Sequence, residues 1–67
     1  MTHCYINCKF GFVTDTYPDI HDGEPVLKAR FSPDVRHAQP FSDLGEAHKT
    51  WQATMYKDWY YCVLWPD

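Results

Sequence analysis

Residues 59–65, WYYCVLW, contain no charged side chain and are dominated by aromatic and β-branched types, which predicts a strand stopped by Pro66. Side chains of a strand alternate between its two faces. Tyr60, Cys62 and Leu64 therefore point one way, and Trp59, Tyr61, Val63 and Trp65 the other. Both rows are apolar, so this strand needs cover on both sides, and the rest of the chain limits what can supply it.

The remaining signals are two more strands and one helix. Residues 3–13, HCYINCKFGFV, alternate, with Cys4, Ile6, Cys8, Phe10 and Phe12 on one face and His3, Tyr5, Asn7, Lys9 and Gly11 on the other. Residues 14–25 predict a loop, punctuated by Pro18, Gly23 and Pro25 and carrying Asp15, Asp19, Asp22 and Glu24, with Asp22-Gly23 as a turn pair. A second strand is expected over 26–31, with Leu27, Ala29 and Phe31 opposite Val26, Lys28 and Arg30. Ser32-Pro33-Asp34 ends it, and a second loop runs to 41. Ser42 is the expected N-cap of a helix reaching about residue 56, with Asp43 in its first turn. Leu44, Ala47, His48, Trp51 and Met55 form its apolar stripe, opposite Glu46, Lys49, Ala53 and Lys57.

The order β-β-α-β predicts one α+β domain over residues 1–67. Its fold class is a three-stranded, mainly antiparallel sheet in the order 2-1-3, covered on one face by one amphipathic helix. A right-handed crossover through the helix makes the second and third strands parallel, with the first between them. With 45% apolar and 18% aromatic residues the chain is expected to fold. A domain of 67 residues is marginal by itself, which favours a partner or an assembly.

A lone helix covers one face of such a sheet, so one row of 59–65 meets something else. Tyr60, Cys62 and Leu64 are assigned to the helix side, because a cysteine and a leucine fit beneath Trp51. The open face then shows Tyr5, Lys9, Val26, Lys28, Arg30, Trp59, Tyr61, Val63 and Trp65. Soluble monomers seldom expose large apolar patches without a use, and Trp, Tyr and Arg are enriched at binding hot spots. The expected partner-binding residues are Trp59, Tyr61 and Trp65 as anchors, Tyr5 beside them and Lys28 and Arg30 at the rim. Asp15, Asp19, Asp22 and Glu24 form a second, acidic contact that steers toward a basic partner. The plain structural alternative is that loop 32–41, with Val35 and Phe41, folds over the open face.

Other chemistries find little support. Cys4 and Cys8 stand roughly 13 Å apart in an extended strand, too far to share a zinc ion, and no CxxC exists. The acidic stretch lacks the ligand spacing of a calcium loop. Neither metal nor cofactor is expected. Cys8 and Cys62 come near one another if the first and third strands pair antiparallel about their middles, but reduced thiols are the default in a cytosol. No nucleophile, base and orienting group share a motif, and no glycine-rich phosphate loop occurs, so the chain is not expected to be an enzyme. His48 is expected at the packed boundary of the helix stripe.

Scattered basic residues and a net charge of −3 argue against general phosphate binding. The competing functional reading is nevertheless a single-stranded nucleic-acid module that stacks bases on an aromatic and basic sheet face through Lys9, Lys28, Arg30 and Tyr61. Without an apolar membrane span or a leader, a cytoplasmic location is expected. The leading expectation is a small non-catalytic protein-binding protein, an inhibitor or adaptor docking on a larger complex or associating with itself as a homodimer. In character it is like the small viral or mobile-element antagonists of host defence, an analogy of size and exposure alone.

Overall fold

A computed structural model describing residues 2–66 shows four strands where the sequence predicts three. The expected strand 3–13 breaks at Lys9-Phe10 into β1 (Tyr5–Cys8) and the start of β2 (Gly11–His21). The expected loop 14–25 is the remainder of β2 and its turn into β3 (Glu24–Ser32). A short 3-10 turn (Val35–His37), the helix α1 (Leu44–Gln52) and β4 (Tyr61–Leu64) complete the chain. The sheet order is β3-β2-β1-β4, and every neighbouring pair is antiparallel. The small α+β class and the single covering helix agree with expectation. The order 2-1-3 becomes four strands, and the strands at 26–31 and 59–65 run in opposite directions rather than parallel. The added hairpin reverses the chain once more before the helix.

The first turn explains the missed strand break. Cys8 and Gly11 pair across Lys9-Phe10, and Gly11 takes φ +115°, a left-handed value that fits the glycine of a bulged hairpin turn. The turn shifts the alternation. Phe12 pairs with Asn7 and so joins the face opposite Ile6, while Val13 enters the core. A second irregularity between Val13 and Asp15 absorbs Thr14.

The second turn makes a hairpin of a segment whose prolines and charges suggest a loop. His21 pairs with Glu24 across Asp22 (φ 53°) and Gly23 (φ 79°), the two positive angles of a type I′ turn. A two-residue turn of this type is closed by a hydrogen-bonded pair, and such pairs alternate with non-hydrogen-bonded ones. Ile20↔Pro25 and Pro18↔Leu27 therefore fall on non-hydrogen-bonded positions, where proline's missing donor costs no ladder bond. The hairpin projects as an arm and gives the molecule its extents of 41 × 23 × 19 Å.

The core lies between sheet and helix and contains Cys4, Ile6, Cys8, Val13, Ala29, Phe41, Ala47, Trp51 and Tyr56. Asp43, rather than Ser42, caps α1: its carboxylate accepts from the Glu46 backbone N–H at 2.7 Å, while Glu46 accepts from Ser42 N–H at 3.0 Å. The helix stops at Gln52, short of residue 56, because the chain turns to bond with the sheet. Thr54 Oγ1 donates to Trp51 O (2.7 Å), Met55 N–H to Leu27 O (3.0 Å) and Ala29 N–H to the Tyr56 hydroxyl (3.3 Å). The segment before the helix fills the gap where β2 diverges from β1. Gln39 N–H donates to Val13 O at 2.9 Å, and Cys4 and Phe41 exchange two backbone bonds of 3.0 Å. Phe41 thus packs into the helix-side core rather than over the open face.

The two turn glycines should respond differently to alanine. A Cβ on Gly11 would lie 2.5 Å from Ser32 O, whereas one on Gly23 meets nothing within 4 Å. Gly23→Ala is expected to cost about 1 kcal/mol for its positive φ. Gly11→Ala is expected to cost at least about 2 kcal/mol, because backbone must move as well. Equilibrium denaturation of both variants checks this ordering; equal losses would contradict it.

Candidate functional site

Register decides which row of β4 faces the helix. Cys8 pairs with Tyr61 and Ile6 with Val63, so Tyr61 and Val63 share the face of the buried Cys8 and Ile6. The Tyr61 ring stacks on Trp51 at 4.9 Å, and its hydroxyl shares a 2.6 Å hydrogen bond with His48 Nδ1. The expected assignment is thereby inverted: Cys62 and Leu64 lie opposite Asn7 and Tyr5 on the open face. The inversion follows from stacking. A flat phenol ring covers an indole more completely than cysteine and leucine do, and its polar end still reaches a partner. Cys62 and Cys8 consequently point to opposite faces, and all three cysteines are free thiols.

The open face carries Tyr5, Asn7, Phe12, Cys62 and Leu64 at one end and the charged side of the arm at the other. Tyr5, Lys28 and Arg30 are on it as expected. Asp15 and Asp19 are on it too, as strand residues rather than loop residues, and both are paired. Arg30 Nη1 donates to Asp15 Oδ2 at 2.6 Å, with its guanidinium 4.3 Å from the Tyr17 ring centre. Lys28 Nζ lies 3.3 Å from Asp19. The Ile20 N–H, and then Lys28, hold the Asp19 carboxyl below its ordinary range. Asp22 and Glu24 remain exposed at the tip, with Asp22 3.4 Å from His21. Of the cations expected at the rim, Lys28 and Arg30 are therefore paired with carboxylates within the arm, while Lys9 stands over the rings of Phe10 and Trp59 and Tyr61 faces inward.

Three exposed aromatic residues gather at the β1–β2 turn. Phe10 is 51% exposed, Trp59 40% and Tyr60 87%. Trp59 packs on Tyr56 at 4.6 Å and on Phe10 at 5.3 Å, and Phe10 meets Phe31 at 5.8 Å. Lys9 Nζ stands 5.1 Å from the Phe10 ring centre and 5.7 Å from that of Trp59. Lys9, Trp59 and Tyr60 line a shallow hollow of about 280 Å³. The rings of Tyr56 and Phe31 support this platform from the core side, at 5.6 Å from one another. Trp65 lies beyond β4 and is 42% exposed, apart from this cluster.

Of the predicted anchors, then, Trp59 belongs to an exposed patch, Tyr61 to the helix interface and Trp65 to the end of β4. Phe10 and Tyr60 were missed because strict alternation places both on the buried face. The signal that could have found them is Gly11, which ends the alternation one residue after Phe10. Among the described residues no group of three or more His, Cys, Asp or Glu is placed to hold a metal ion. Nor, among the described residues, is any helix long and apolar enough to cross a membrane.

Two outcomes are expected in solution. Burial pushes the Cys4 thiol up, and Cys4 and Cys8 are both buried, so Cys62 should be the first to react with an aromatic disulfide reagent, the others following only on unfolding. Simultaneous reaction of all three would contradict the placement of β4. The depressed Asp19 carboxyl stabilises the fold above the ordinary carboxylate pKa, and this contribution fades as pH falls through the lowered value. In Asp19→Asn that part of the acid sensitivity is expected to vanish, as read by denaturant midpoints across the acid range.

Comparison of the chain with protein-family models, curated proteins and solved structures gave no match.

Proposed function

We propose that this chain is a small non-catalytic protein-binding protein, an inhibitor or adaptor that docks on a larger complex through the patch of Phe10, Trp59 and Tyr60. The observation that carries this reading is the concentration of exposed rings at one turn, on a platform held from beneath by Tyr56 and Phe31. Three large rings at one turn, two held by packing, lose little conformational entropy on binding, which is what makes aromatic anchors effective at interfaces. Lys9 at the hollow defines the complement: an apolar side chain of the partner entering beside the Trp59 ring, with a carboxylate near the ammonium. The exposed acids at the arm tip, Asp22 and Glu24, supply a remote second contact toward basic surface and favour fast encounter.

Affinity capture from extracts of the native host tests this, with variants run in parallel. Tyr60→Ala removes a side chain that is 87% exposed, so its melting temperature should match the wild type. Its partner affinity is expected to fall about tenfold or more. Trp59→Ala should lose more affinity and some stability, because the ring also packs on Tyr56. A partner held equally well by both variants would overturn the assignment. So would preferential retention of single-stranded oligonucleotide with a steep salt dependence.

A further inference from the structure

The sheet treats its edges unequally. The outer edge of β3 is covered by Met55 N–H on Leu27 O and by the Tyr56 hydroxyl on Ala29 N–H. The projecting edge of β2 lacks a donor at Pro18, and its next outward N–H, on Ile20, bonds Asp19 Oδ1 at 2.7 Å. These are the devices by which proteins keep sheet edges from pairing. The outer edge of β4 has no counterpart.

Backbone alternation says which groups it offers. Cys4 directs its N–H and C=O to Phe41, on the side of β1 away from β4. Tyr5 and Asn7 therefore point toward β4, making Tyr5↔Leu64 and Asn7↔Cys62 the hydrogen-bonded pairs. Tyr61, Val63 and, continuing the alternation, Trp65 aim their backbone groups outward. Among the described residues, no hydrogen bond from another segment reaches these backbone groups.

We propose that β4 pairs antiparallel with β4 of a second copy, forming a two-fold homodimer with one continuous eight-stranded sheet. Three observations select a second copy as the occupant. An antiparallel strand pair about a two-fold axis is self-complementary and closes on itself, so the edge is used up at two chains. With Val63 opposite Val63 of the second copy, Tyr61 meets Trp65, and all three outward-pointing residues are satisfied. Residues 59–65 carry no charge, so two copies of a chain with net charge −3 meet there without like charges facing across the seam. The pairing also covers Leu64 and Trp65, which are 39% and 42% exposed. An axis perpendicular to the sheet keeps both helices on one face. The inference goes beyond the docking reading and is independent of it, because it rests on backbone groups rather than on the ring patch.

Sedimentation equilibrium across a concentration series, with amide exchange followed by NMR, tests it. A monomer–dimer equilibrium is expected, with exchange at Tyr61, Val63 and Trp65 slowing by at least about tenfold as the dimer fills. Val63→Pro deletes an outward donor and leaves the bonds to β1 in place, so it should be monomeric with wild-type circular dichroism. Should that variant fail to fold, exchange in the wild-type chain still decides. A monomer at every concentration up to the solubility limit would overturn the proposal. So would a dimer in which those three amides exchange as fast as in dilute solution.

Discussion

The fold depends on the burial of one indole. Trp51 is fully buried, stacks on Tyr61 of β4 and lies against Tyr56 of the segment that follows the helix. Truncating a buried tryptophan typically costs about 3–5 kcal/mol. A domain of 67 residues has only roughly 3–10 kcal/mol in total. The helix is short, with two buried residues of its own, so it is held by this contact more than by its propensity. Where Trp51 sits determines where Tyr61 must point, and a strand's alternation extends that choice to the rest of β4.

The proposed contact surfaces follow from it. With Tyr61 and Val63 turned inward, Cys62 and Leu64 face outward, and among the described residues the outermost backbone groups of β4 have no hydrogen-bonded neighbour. The aromatic chain continues from Trp51 through Tyr56 to Trp59 and Phe10, so the patch at the first turn is the exposed end of the core's own ring network. Rings anchored in this way present apolar surface without being free to collapse onto one another. At the opposite end, the arm carries cross-strand charge pairs on one side, and its prolines fall where no ladder donor is needed.

The legible parts of the sequence were those set by local pattern. The alternation of Cys4, Ile6 and Cys8, the single amphipathic helix and the extended C-terminal segment are all present. The Asp22-Gly23 turn is present too, because positive φ at both positions leaves few other choices. The rest was decided by tertiary contacts. Prolines and acids in 14–25 look like loop punctuation until register shows that Asp15, Pro18, Asp19, Glu24 and Pro25 each fit a ladder position and Asp22 the turn. Met55 lies on the helical stripe in sequence, yet its N–H bonds β3 instead of continuing the helix. The facing of β4 was undecidable from composition, since both rows are apolar. The choice turned on which ring stacks on Trp51, a geometry that alternation does not encode.

The central claim is that Tyr61, and not Leu64 or Cys62, covers Trp51. Nuclear Overhauser contacts measured on the dilute chain test it directly. The account predicts strong cross-peaks between the Trp51 indole and the Tyr61 ring, with none from the Trp51 indole to the Leu64 methyls. Contacts from Leu64 methyls to the indole, with the Tyr61 ring free of them, would contradict it.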